Sequence, residues 1–104
     1  MSIRAQKVSS LIKQVLAQPI TDLAHEHSAG LATVTTVRMS EDLQHAKVYV
    51  SVYGGKMKPA EFLNVLEKHN GQIRSYVGSN VRLRFTPEIR FFLDDTLDQM
   101  EHIQ

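Results

Sequence analysis

The sequence predicts a single-domain α+β fold in the order α-β-β-α-(kink)-α-β, with a three-stranded sheet carrying its helices on one face. Three observations predict it. Val8, Leu11, Ile12, Val15 and Leu16 recur at helical spacing. Val48, Val50 and Val52 alternate with Lys47, Tyr49 and Ser51, the period of a half-buried strand. From Val81 to Asp94 every odd position is apolar (Val81, Leu83, Phe85, Pro87, Ile89, Phe91, Leu93), and the even ones are mostly polar.

The first helix buries the Val8–Leu16 stripe and is expected to stop at Pro19, which cannot donate to the helix ladder and disfavours helical backbone at Gln18. Residues 21–30, with His25, His27, Ser28 and Gly30, then read as a loop. Leu31–Met39 is dense in β-branched residues, Ser40-Glu41-Asp42 is a polar break, and Ala46–Tyr53 is the second strand. A short polar connection between them predicts an antiparallel pair, which Gly54 and Gly55 close. Pro59 suits the first turn of a helix that buries Phe62, Leu63 and Leu66. Asn70-Gly71 is a poor helix interior, yet Ile73, Tyr76 and Val77 resume the spacing at once. That predicts two short helices with a change of direction at Gly71, the second ending at Gly78. Val81–Asp94 reads as one long strand with a bend, edge position or pairing break at Pro87. Leu97, Met100 and Ile103 suggest a last helical turn, capped by Asp94 and Asp95.

Composition narrows the chemistry. The 104 residues contain no cysteine, which excludes disulfides, thiolate zinc sites, iron–sulfur clusters and a cysteine nucleophile. No apolar run is long enough to span a bilayer, and the N-terminus does not look like a signal peptide, so the cytoplasm is expected. The net charge of +1 hides an asymmetry. Residues 1–90 hold all 12 bases against seven acids, whereas residues 91–104 hold four acids and no base. A basic body followed by an acidic segment, 95–104, raises the expectation of a nucleic-acid partner. No linker or repeat interrupts the chain, so one domain over residues 1–104 is expected.

Three segments resemble the ribosome-binding factor A family of bacterial small-subunit assembly factors. They are VTTVRMSEDLQHAKVYVSVYG at 34–54, NGQIRSYVGSNVRLRF at 70–85 and TPEIRFFLDDTLD at 86–98. Together they extend the likeness over about residues 3–104, in matching order and spacing. The resemblance implies a type II KH-like fold without catalytic chemistry. It also implies binding to the 30S subunit and 16S rRNA late in maturation, with support for 16S rRNA 5′-end processing and for cold adaptation. In place of the Gly-x-x-Gly loop of ordinary KH domains, the family carries a helix–kink–helix with an Ala-x-Gly signature. His69-Asn70-Gly71 stands there in this chain, so the glycine matches and the first position departs. The 21–30 segment also lacks the Asp-Pro-Arg type sequence of relatives, and the chain stops soon after Ile103, short of the longer polar tail that many relatives carry.

An RNA partner needs cations for phosphates and polar or aromatic groups for unpaired bases. Arg82, Arg84 and Arg90 share one parity of the last strand, with Phe92 beyond them, and Lys47 and Tyr49 join that face if helices cover Val48 and Val50. Lys68, Asn70, Gly71 and Arg74 gather at the kink, where free N–H groups would suit a phosphate. The expected RNA-binding set is therefore Lys47, Lys68, Asn70, Gly71, Arg74, Arg82, Arg84 and Arg90. Both groups fit a plainer reading equally well, as a solvated outer sheet face and a helix cap with solubilising charges. Arg4, Lys7 and Lys13 read as an ordinary solvated helix face, and Lys56 and Lys58 as unspecific phosphate contacts. No metal or other cofactor is expected, because nothing in the sequence places His45, His69 or His102 beside His25-x-His27. No catalytic motif is present. A monomer without a membrane or small-molecule partner is expected. A KH-like protein–protein adaptor without direct RNA contact is the alternative.

Overall fold

The computed structural model describes residues 2–94. Its element order is α1 (Ile3–Glu26), β1 (Gly30–Met39), β2 (His45–Gly54), α2 (Pro59–Lys68), α3 (Asn70–Asn80) and β3 (Glu88–Leu93). The sheet order is β1-β2-β3. β2 is the central strand, antiparallel to β1 and parallel to β3. A parallel β2–β3 pair requires a crossover, and the α2–α3 unit supplies it.

α1 starts at Ser2, whose hydroxyl accepts the Ala5 N–H at 3.1 Å. The helix does not end at Pro19. It continues to Glu26 and buries Ile20, Leu23 and Ala24 as the next turns of the stripe begun by Ala5, Val8, Ile12 and Leu16. A proline inside a helix costs about 3 kcal/mol. Burying an Ile or Leu side chain returns about 1.5–3 kcal/mol each, so two such residues beyond the proline outweigh its penalty. Leu11, expected in the stripe, is 50% exposed. Most of the predicted loop is therefore helix, and the true connection is His27-Ser28-Ala29, with Ser28 at a φ of 55°. Its Ser28 carbonyl accepts Lys56 N–H at 2.8 Å, pulling the chain after β2 against it. A Cβ on Gly55 would collide with the backbone of Ala29 and Gly30, so only glycine permits this approach.

The β1–β2 hairpin turns through Ser40–Gln44. The Ser40 hydroxyl (2.6 Å) and the Gln44 N–H (3.1 Å) both donate to Asp42, which holds that carboxyl below its usual range. The β1–β2 register shifts between Val34 and Thr36, leaving Thr35 as a bulge. Ala32, Val34, Val37 and Met39 of β1, Ala46, Val48 and Val50 of β2, and Ile89 and Phe91 of β3 form the buried face. Phe62 and Leu66 of α2, Ile73 and Val77 of α3, and the α1 stripe pack with them in one core.

Three other expectations change. The direction change between α2 and α3 falls at His69 (φ −99°, ψ 11°), and Gly71 lies within the first turn of α3. α3 passes through Gly78 to Asn80. Residues 81–87 are not strand; pairing starts with His45↔Glu88, and the first cross-connection is Glu88 N–H to Gln44 carbonyl at 2.8 Å. β2 begins at His45, so residues before Glu88 have no strand to pair with. Pro87, itself without an N–H, marks that boundary as the sequence suggested. The last-turn expectation at Leu97, Met100 and Ile103 lies outside the described residues.

Replacing Pro19 with alanine restores an N–H to an uninterrupted helix at the loss of some unfolded-state restriction. Pro19→Ala is expected to raise the unfolding free energy by about 1–2 kcal/mol. Urea unfolding would show a higher midpoint with an unchanged slope.

Candidate nucleic-acid interface

The helices cover one face of the sheet, and the other face carries the side chains of opposite parity. Arg38 pairs with Lys47 and Lys47 with Arg90, so three exposed cations stand in one row across all three strands. The next row holds Thr36, Tyr49 and Phe92. The Tyr49 and Phe92 rings, both half-buried, stack with centroids 5.4 Å apart and planes 26° apart. On the far side of the cation row, His45 and Glu88 approach within 3.5 Å. Beyond the aromatic row, the Thr35 hydroxyl lies 2.5 Å from the Asp94 carboxylate and 3.2 Å from the Tyr49 carbonyl. Asp94 therefore ties the end of β3 to the β1 bulge, and the last turn it was expected to cap lies outside the described residues. Asp95 lies outside the described residues.

Lys47 and Arg90 share a face as expected, but Arg82 and Arg84 do not join them. They sit on the irregular 81–87 segment, where Arg84 lies over the Phe85 ring, 5.4 Å from its centroid. Phe85, expected to point inward with the other odd positions, is 62% exposed. It borders two open grooves, one with Arg4, Arg84 and the 41–44 turn, the other with Arg74, His45 and Glu88. Without strand pairing, alternation no longer fixes which way a side chain points.

At the helix pair, two expected RNA-binding residues hold the fold together. Asn70 donates from its amide to the Ile89 carbonyl at 2.9 Å. Arg74 donates to the Pro87 carbonyl at 3.1 Å and the Thr86 carbonyl at 2.8 Å. Together they fasten the start of α3 to the entry of β3. Lys68 is exposed at the end of α2. Gly71 is exposed with open space where a Cβ would stand, and it borders an open groove with Arg74, Ser75 and Thr86. His69 accepts no part of the helix cap through its side chain; its Nδ1 lies 2.9 Å from the Val65 carbonyl. Its ring meets His27 edge-on at 6.2 Å, so the structure does bring His69 beside the His25-x-His27 segment. Among the described residues, no three His, Asp or Glu side chains gather as a metal site would need.

Arg38 and Phe85 are absent from the sequence-derived set. Arg38 was reachable from the hairpin register, since it lies directly opposite Lys47. Phe85 was hidden by the assumption of a continuous strand.

The order of elements, the parallel crossover and the one-sided helical layer define a type II KH-like α+β domain. The family model for ribosome-binding factor A matches residues 4–104. The chain belongs to that family. It is 40% identical to ribosome-binding factor A of Natranaerobius thermophilus over 101 residues, which is 97% of this chain and 77% of that one. With the Picosynechococcus protein of the same name, identity is 41% over 109 residues, covering 98% of this chain and 82% of the relative. The crystal structure of ribosome-binding factor A from Thermus thermophilus superposes with a TM-score of 0.74 at 25% identity, covering 86% of this chain and 94% of that one. Thermus ribosome-binding factor A as fitted into a cryo-EM map of a 30S complex matches in fold with a TM-score of 0.69 at 24% identity, covering 83% and 90% of the two chains.

If Asn70 and Arg74 are structural, their loss must show without any ligand. Asn70→Ala is expected to lower the unfolding free energy by about 1 kcal/mol, and Arg74→Lys, which cannot reproduce the two-pronged contact, by about 1–2 kcal/mol. Chemical denaturation of the free protein checks both.

Proposed function

We infer that this protein is a non-enzymatic assembly factor that binds the 30S subunit through 16S rRNA during late maturation. In this reading it supports 16S rRNA 5′-end processing and cold adaptation, and it acts in the cytoplasm as a monomeric single domain. Family membership over nearly the whole chain is the observation that carries it. The Thermus relative fitted into a 30S complex supports the same partner. The chemistry of the surface is compatible, because the sheet face sets the exposed cations Arg38, Lys47 and Arg90 beside the aromatic rings of Tyr49 and Phe92.

RNA attracts such a surface through its phosphates, and binding then weakens as salt replaces the released counterions. Lys47 and Arg90 would meet phosphates from the sheet face, while Arg82 and Arg84 would do so from the 81–87 segment. Lys68 and Gly71 flank the start of α3, whose unbonded N–H groups favour an anion. Asn70 and Arg74 would contribute by holding that helix end in place.

Two measurements test this reading. Co-sedimentation with free 30S subunits should fall steeply with salt, and Arg82→Glu combined with Arg84→Glu should weaken it at least tenfold. Salt-insensitive binding to a ribosomal protein alone would favour the adaptor reading. The second test uses Gly71→Ala. Its φ is ordinary and its surroundings open, so the free protein should gain about 0.5 kcal/mol. Loss of 30S affinity in that more stable variant would mark Gly71 as a point of close backbone approach.

A further inference from the structure

The outer sheet face contains an arrangement that sheet stability does not explain. Like charges placed directly opposite one another on neighbouring strands destabilise a sheet. Arg38, Lys47 and Arg90 nevertheless occupy adjacent positions in a single row, with no carboxylate among them. The nearest acids of that face are engaged elsewhere, Glu88 beside His45 and Asp94 beside Thr35. A bound polyanion accounts for such a row. The row spans two strand spacings, about 10 Å, and the aromatic row lies two residues further along the strands, about 7 Å away.

The aromatic row identifies the kind of polyanion. Tyr49 and Phe92 stack on each other and remain half-exposed. Among the described residues β3 is an edge strand with no strand beyond Phe92, and a threonine, Thr36, flanks Tyr49 on β1. A planar base can extend this stack. Paired RNA cannot use it, because its bases are already stacked inside the helix and its surface offers phosphates and hydroxyls. Unpaired nucleotides offer both a ring face and a phosphate within reach of the two rows.

We propose that the open sheet face is a platform for single-stranded RNA. Bases stack on the Tyr49–Phe92 pair, and Arg38, Lys47 and Arg90 hold the adjoining phosphates. The platform lies on the side of the sheet away from the α2–α3 pair. This inference rests on the RNA-binding function above and adds to it the strandedness of the RNA, the base-stacking pair Tyr49–Phe92 and the third cation, Arg38.

The test uses the full chain and a fluorescein-labelled oligoadenylate or oligouridylate of about eight nucleotides, with a duplex of the same length for comparison. The single strands are expected to bind more tightly than the duplex, with oligoadenylate ahead of oligouridylate because purines stack better. Tyr49→Leu and Phe92→Leu keep apolar volume but remove the ring faces, and each should weaken single-strand binding about tenfold. Each of Arg38→Gln, Lys47→Gln and Arg90→Gln should reduce the slope of log affinity against log salt by about 0.7. The chain contains no tryptophan, so Phe92→Trp introduces a single reporter whose fluorescence should be quenched by stacked bases. That readout reports base contact at the ring directly, and thermal melts of the tryptophan and leucine variants would monitor fold stability separately. Preference for the duplex, or ring and cation variants that bind oligonucleotides as the parent does, would overturn the platform. If 30S co-sedimentation persists in that case, the assembly-factor function stands while the platform fails; if both are absent, the function fails with it.

Discussion

Everything in this molecule is registered to β2. It hydrogen-bonds to a strand on each side, and its inward residues Ala46, Val48 and Val50 are almost wholly buried beneath the helices. Because strand residues alternate with a period of two, burying those three turns Lys47 and Tyr49 outward. The two pairings then fix which neighbours stand beside them: Arg38 and Arg90 beside Lys47, Thr36 and Phe92 beside Tyr49. A slip of one residue in either pairing would bury a cation and expose a valine or phenylalanine. The same hydrophobic constraint thus builds the core and composes the outer surface.

Parallel pairing of β2 with β3 carries a further requirement. The chain must travel back across the sheet, and α2 and α3 make that journey with a change of direction at His69. The crossover is held at the turn between its two helices by polar side chains. Asn70 reaches the Ile89 carbonyl near the start of β3, and Arg74 reaches the Thr86 and Pro87 carbonyls, which precede the β-ladder. A residue type suited to RNA can equally be needed to satisfy a backbone carbonyl. Asn70 and Arg74 do so beside the helix junction, whereas Lys47 and Arg90 stand exposed on the sheet face.

Where local reading departed from the structure, a nonlocal quantity decided. Pro19 breaks a helix considered alone, but Ile20 and Leu23 fill the core just beyond it, and their burial is worth more than the missing bond. The run from Val81 to Leu93 alternates throughout, yet only residues 88–93 find a strand to pair with. Val81 and Pro87 are buried without strand structure, and Phe85 breaks the parity altogether. Alternation records a tendency; a strand exists only where another strand stands beside it.

The sequence alone determined the order of elements, the α+β class, the apolar face of each strand and the family likeness. Those properties follow from side-chain periodicity and from residues close together in the chain. It also supplied Lys47, Arg90, Tyr49 and Phe92 as members of one face, because parity needs only the knowledge of which face is buried. Tertiary structure decided the rest: that Arg38 completes their row, that Arg82 and Arg84 stand apart, that Asn70 and Arg74 are tethers, and that His27 lies against His69. These are matters of register, pairing and backbone satisfaction between segments far apart in sequence. No local pattern encodes them, since each depends on what the rest of the chain places alongside.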